Sequence, residues 1–198
     1  KETFRGIEIK RRYHLRQGIA HAEPIMPGSR RVSLRPSKPE PIKVNENTRV
    51  ILQASPRVAP LKYQNQQGQL RDIPLGEQGH ILVNFWATWC APCEKEMPSL
   101  GALQTARGGD RFEVVAISVD AQEDLSYAAQ RLGELGASNI TFHSATPEQF
   151  EIVYDSGVQG FPTTILYDAS GVEIARLAGD ADWSSIEAVG FIDALLKN

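Results

Sequence analysis

Cysteine is nearly absent. A chain of 198 residues carries two, Cys90 and Cys93. So few exclude a disulfide-rich scaffold and a four-cysteine zinc site. The four histidines, His14, His21, His80 and His143, show no paired spacing, which argues against a two-cysteine, two-histidine zinc site. They read as surface or packing residues, and no metal is expected. No apolar run approaches the roughly 20 residues that a membrane helix needs, so the chain as given reads as soluble. There is no internal repeat. Ala20-His21-Ala22 fits a cleavage pattern, but no adequate apolar stretch precedes it, which argues against a signal peptide inside this sequence. The chain does not begin with Met, which is compatible with a removed leader or anchor.

What is present is unevenly distributed. Residues 1–60 hold thirteen Lys or Arg against five Asp or Glu, whereas residues 61–198 hold eight against nineteen. A basic arm therefore precedes an acidic domain. The arm also holds seven of the twelve prolines, from Pro24 to Pro60, and so cannot bury much of itself. Within it, Thr48 to Leu52 has strand character. Residues 61–75 read as a lead-in hairpin turning at Gln67-Gly68.

From residue 80 the apolar pattern predicts strands alternating with helices. His80 to Trp86 and Phe112 to Val119 are near-continuously apolar, as in parallel sheets. Between them a helix runs from about Pro92 to Arg107, stopped by Gly108-Gly109. Residues 122–135 read as a helix and Ile140 to Phe142 as a short strand. Thr146-Pro147-Glu148-Gln149 is a capping box that opens another helix. Thr163–Tyr167 and Val172–Ala178 form a hairpin across Asp168 to Gly171. Ser184 to Glu187 opens the last helix, with Ile186, Val189, Ile192 and Leu196 along one face.

Both cysteines fall at the first strand-to-helix turn, as Cys90-Ala91-Pro92-Cys93. Two sulfurs three positions apart can close and reopen a small disulfide. The turn puts Cys90 near backbone N–H groups and the positive helix end, which favour thiolate over thiol. Only the thiolate attacks disulfides. Cys90 is thus the expected nucleophile and Cys93 the resolving residue. The alternative is a pair of buried core cysteines or metal ligands.

A CxxC beside a strand–helix–strand pattern reads as thioredoxin-like, and Trp89-Cys90-Ala91-Pro92-Cys93 resembles the active site of that fold. Phe161-Pro162-Thr163 resembles its cis-proline loop, and Pro98 the proline that kinks its active-site helix. Between Asp120 and Gly157 lies about one helix and one strand more than thioredoxin needs. That insertion resembles the TlpA/ResA group of extracytoplasmic, usually membrane-anchored proteins. So do Asn84, standing where thioredoxin has a buried aspartate, and the stretch Ala178 to Trp183. The resemblance covers residues 61–198 and leaves out the arm.

The resemblance implies an α/β thioredoxin-like fold: a central mixed sheet flanked by helices, with a TlpA-type insertion and an extended N-terminal arm. It implies thiol–disulfide exchange on protein substrates, re-reduction by a membrane electron donor, and a periplasmic or otherwise extracytoplasmic location. Substrates in cytochrome c maturation or copper-site and oxidase assembly are expected. Pro162 in cis would offer the backbone of Phe161 to an extended substrate, with Trp89 and Thr163 beside it. Glu96, one helical turn after Cys93, matches a glutamate of ResA-like proteins and would pass a proton to or from Cys93. Its alternative is a solvated helix residue. Asn84 cannot titrate, and a structural role for it stands beside a catalytic one. Trp86 reads as packing, and Trp183 as a tie between the last helix and the sheet. No cofactor is expected beyond the Cys90–Cys93 disulfide.

The basic arm has three readings: a tether at a membrane surface or acidic partner, a docking arm that folds on a larger assembly, or a mobile linker. Nucleic acid is an unsuitable partner for so acidic a domain. Two other functions stay open: a disulfide oxidant or isomerase, and a non-enzymatic thioredoxin-fold subunit of a larger assembly.

Overall fold

The structure is a computed structural model of the chain. It describes residues 79–145 and 157–197 continuously, with Gln69, Val153 and several short strands outside those spans. Two compact units are separated, Lys1–Arg35 and Pro36–Asn198. In the first, Thr3–Phe4 (β1) and Ile7–Glu8 (β2) pair antiparallel.

The second unit is built on one mixed sheet. Its strands in chain order are Ile42–Lys43 (β3), Arg49–Leu52 (β4), Lys62–Gln64 (β5), Leu70–Asp72 (β6), His80–Trp86 (β7), Phe112–Ser118 (β8), Thr141–Ser144 (β9), Thr163–Tyr167 (β10) and Glu173–Ala178 (β11). Across the sheet they run β3-β4-β11-β10-β7-β8-β9-β5-β6. The centre is parallel from β7 through β8 to β9, while β10 lies antiparallel against the other side of β7. β7 and β8 are buried over almost their whole length, which explains their continuous apolar runs. The strand expected within Thr48 to Leu52 is β4, antiparallel to β11. The lead-in hairpin is β5 and β6. Its turn at Gln67-Gly68 and the helix expected from Thr146 lie outside the described residues.

Three helices accompany the sheet among the described residues: Ala91–Arg107 (α1), Leu125–Glu134 (α2) and Ile186–Leu196 (α3). The predicted helix over 122–135 is divided, with a 3-10 turn at Gln122–Asp124 leading into α2. In α1 Met97, Leu100 and Leu103 turn into the core at helical spacing. Gly101, on the same face, lets the helix meet the backbone of Gly136 and Ala137. A Cβ there would lie 2.5 Å from the Gly136 carbonyl oxygen. Gly108 closes the helix, its N–H donating to Gln104 O at 2.8 Å. The start of α3 is capped by Ser185, whose side chain accepts from Ala188 N. Arg131 of α2 holds Glu94 of α1 through two N–H···O bonds of 2.7 and 3.0 Å, tying the two helices together.

The fold is thioredoxin-like α/β: a central mixed sheet flanked by helices. Because β7 and β8 run parallel, their carboxyl ends open at one edge of the sheet. The start of β10 meets that edge from the antiparallel side. In open α/β sheets this edge is where ligands and chemistry collect.

Candidate active site

Strand β7 ends at Trp86, and four residues later the chain enters α1. Cys90 is the residue before the first helical turn, with extended backbone. Its N–H donates to Ala87 O, and its carbonyl accepts from Glu94 N, so the turn is closed by backbone bonds. Pro92 opens the helix where its missing N–H costs nothing. Cys90 and Cys93 form a disulfide, with Cα atoms 5.3 Å apart. Cys90 is 7% exposed and Cys93 fully buried. The first cysteine is therefore the one an incoming group can reach.

A second network holds the loop that delivers Cys90. Asp120, just beyond β8, is buried. Its carboxylate accepts from Thr88 N at 3.1 and 3.2 Å, Thr88 Oγ1 at 2.7 Å and Ser118 Oγ at 2.7 Å. Thr88 lies two residues before Cys90, so this carboxylate fixes the path of the chain into the CxxC turn. The sequence reading used Asp120 only as a landmark. A lone acid directly after an apolar parallel strand was the available signal.

The peptide bond Phe161–Pro162 is cis. Pro162 and Thr163 are buried and Phe161 is half-buried, beside the exposed Trp89. The two aromatic rings meet edge to face, centroids 5.9 Å apart. Trp89 is 66% exposed, a large apolar surface left open next to the disulfide. Register accounts for this neighbourhood. Thr163 pairs with Phe85 and Thr164 with Asn84, so the proline loop arrives where β7 leaves the sheet. The Thr163 hydroxyl donates to Gly160 O at 2.7 Å, and Pro162 O accepts from Gly179 N at 2.9 Å.

Glu96 lies under this surface. Far from being a solvated helix residue, it is 2% exposed. Its carboxylate accepts three hydrogen bonds: Asn84 Nδ2 to Oε1 at 2.7 Å, and Ala181 N and Trp183 Nε1 to Oε2, each at 3.1 Å. Burial penalises the charged form and pushes its pKa up to about 7, against the pull of those three donors. Asn84 also donates to Thr164 Oγ1 at 2.9 Å. Trp183, read from sequence as a tie between the last helix and the sheet, thus reaches the carboxylate directly. A cleft of about 470 Å³ opens between α1 and residues 180–184, lined by Lys95, Glu96, Ser99 and Asp180 among others. Lys95 bridges it to Asp180 at 2.8 Å. Among the described residues no cluster of His, Cys, Asp or Glu could hold a metal ion.

The sequence-predicted residues form two adjoining groups. Trp89 and Phe161 lie at the surface with Cys90 and Pro162 buried just behind them in the chain, while Cys93 and Glu96 lie on the buried side of α1. A family model described as Thioredoxin-like domain matches residues 68–190. The chain belongs to the thioredoxin-like family. Several curated relatives of this thioredoxin-like chain carry thiol–disulfide names. The thiol-disulfide oxidoreductase ResA of Geobacillus thermodenitrificans is 33% identical over 92 residues, 46% of this chain and 49% of that protein. A thiol:disulfide interchange protein DsbE homolog of Paracoccus denitrificans is 35% identical over 112 residues, 56% of this chain and 57% of that one. The chain spans about half the length of the curated relatives it matches. A solved thiol:disulfide interchange protein from Bacteroides sp. shares the fold, with a TM-score of 0.60 at 21% identity over 73% of this chain and 91% of that one. The thioredoxin-like protein YneN of Bacillus subtilis is 34% identical over 92 residues, 46% of this chain and 52% of that protein.

Proposed function

We propose that the protein is a thiol–disulfide oxidoreductase that reduces disulfides of partner proteins. The observation that carries this reading is the Cys90–Cys93 disulfide at the start of α1, with Cys90 the less buried of the two and next in the chain to exposed Trp89, whose ring meets half-buried Phe161. In the reduced protein, the Cys90 thiolate attacks one sulfur of a partner disulfide. A Cys90–partner bond forms, and the partner's other sulfur leaves with the electron pair and takes up a proton. Cys93 then gives its proton to the Glu96 carboxylate and attacks Cys90 Sγ. The partner's second thiolate departs, and the protein is left oxidised as observed. The aromatic pair and the cis-proline loop form the docking rim, with the Phe161 backbone offered to an extended substrate.

The same carboxylate supports the reducing direction. Cys93 and Glu96 are one turn apart on α1, about 5–6 Å between Cβ atoms. A negative charge at that range disfavours the Cys93 thiolate. Strong oxidants instead stabilise their reduced thiolate form, so the arrangement favours a reductase. A membrane electron donor returns two electrons to the disulfide. The location is extracytoplasmic, the substrates are those of cytochrome c maturation or copper-site assembly, and the basic arm, residues 1–60, serves as tether or docking segment. Among the described residues no helix is long and apolar enough to cross a membrane.

The test is the reduction potential of the couple, by equilibration with dithiothreitol or glutathione buffers. A value below about −220 mV supports the reductase. A value above about −180 mV makes the protein an oxidant or isomerase. Absence of a reversible couple leaves the thioredoxin fold as a binding scaffold.

A further inference from the structure

The Glu96 carboxylate is held asymmetrically, and the asymmetry decides where its proton can go. Oε2 accepts from Ala181 N and Trp183 Nε1, each at 3.1 Å. A backbone N–H and an indole N–H are donors only. A proton on Oε2 would face two hydrogens that cannot turn away. Oε1 has a single partner, Asn84 Nδ2 at 2.7 Å.

That partner can change sign. Asn84 is fully buried, and its Oδ1 has no hydrogen-bond partner among the described residues. Its Nδ2 makes both bonds of the side chain, to Glu96 Oε1 and to Thr164 Oγ1 at 2.9 Å. A half-turn of the amide exchanges oxygen for nitrogen without changing its shape. Oδ1 then accepts from a protonated Oε1 and from the Thr164 hydroxyl, which donates as readily as it accepts. Nδ2 moves to the place Oδ1 left, where it has no partner among the described residues, a cost that protonation of Oε1 has to offset. An aspartate at this position would set a second charge against Glu96, and an aliphatic residue would strand Oε1.

We propose that Asn84 and Trp183 are positioning residues that confine the exchangeable proton of Glu96 to Oε1, the indole keeping Oε2 an acceptor and the Asn84 amide turning over when Oε1 is protonated. The proposal rests on the reading of Glu96 as the proton-handling group of the dithiol. Register builds the device, because Asn84 of β7 is paired with Thr164 of β10 directly beneath α1. Of the other charged groups near the carboxylate, Asp180 acts on it as a like charge that favours the protonated form. Lys95, next to Glu96 on α1, is bonded to Asp180. Asp182 accepts from Ser184 N and Oγ.

The experiment is a pH titration of the oxidised full chain, labelled with 13C and 15N and followed by nuclear magnetic resonance. In this form the cysteines do not titrate. The Asn84 side-chain amide and the Trp183 indole N–H are expected to shift with the midpoint of the Glu96 carboxyl carbon. In Glu96→Gln the Asn84 signals should become independent of pH and sit at the acid limit of the wild type. Trp183→Phe removes a donor from the ionised form and should raise the Glu96 midpoint by about one pH unit. Asn84 signals that stay fixed while Glu96 titrates would overturn the proposal, and that measurement needs no variant. So would a Trp183→Phe midpoint that is unmoved or lower. A separate readout, the pH profile of disulfide reduction by Glu96→Gln, tests the reading beneath. If that profile matches the wild type while Asn84 and Glu96 titrate together, the proton-handling role falls and the positioning stands. If the profile changes while Asn84 stays fixed, the positioning falls and the role stands.

Discussion

Replacing Glu96 by glutamine is expected to remove a pH-dependent component of stability whose size follows from burial. The carboxyl is 2% exposed and its pKa is pushed up from 4.5 to about 7, first by desolvation. The folded protein therefore holds this proton more tightly than the unfolded chain. The resulting stabilisation is fully present below pH 4.5 and is lost as pH rises through 7. A difference of about 2.5 pH units at 1.36 kcal/mol each gives about 3 kcal/mol. Glutamine keeps the shape but cannot ionise. Its oxygen can accept from Ala181 N and Trp183 Nε1, and its amide can donate to a turned Asn84. The assay is guanidinium unfolding of the two oxidised proteins from pH 4 to 8, read as a difference so that other carboxylates cancel. Relative to Glu96→Gln, the wild type should lose about 3 kcal/mol between pH 4 and 8. A difference that stays constant within about 1 kcal/mol would mean that the carboxyl titrates alike in both states, and the burial argument would fail.

Cys93→Ser should stop the exchange half-way and accumulate a mixed disulfide through Cys90, visible as a dithiothreitol-sensitive adduct on non-reducing gels, whereas Cys90→Ser should form none. Glu173 is 1% exposed and accepts two N–H···O bonds from Arg176, at 2.7 and 2.8 Å. Glu173→Ala should cost about 3 kcal/mol in chemical denaturation, because it removes the carboxylate that faces a largely buried guanidinium, whose bond to Gly157 O at 2.9 Å remains. Gly101→Ala should cost about 1–3 kcal/mol, since its Cβ would meet the Gly136 carbonyl at 2.5 Å and backbone cannot step aside. A neutral result there would show that α1 can shift away from residues 136–137.

Much of the site was legible because it is local. Cys90 and Cys93 are three apart, the strand before them is continuously apolar, and Pro92 marks the helix start. Phe161-Pro162-Thr163 was found through resemblance, and its cis bond is observed. The role of Trp183 was not legible. It lies 87 residues from Glu96, and a tryptophan in a polar loop has the same one-letter appearance whether it packs or donates. Asp120 was missed for a related reason: its partners are Thr88 and Ser118, and only the parallel pairing of β7 with β8 brings Thr88 within reach.

From the sequence alone came the order of the described strands and helices from His80 onward, the redox pair, the candidate proton carrier and the division into basic and acidic parts. Each depends on spacing along the chain, on composition or on a matched motif. The tertiary structure alone decided that Glu96 is buried, which donors hold each of its oxygens, and that Trp89 remains exposed beside Phe161. Those properties depend on which strands are neighbours and in what register. Register fixes distances between residues about 80 positions apart, and a carboxyl group has its pKa raised or lowered by what surrounds it in space.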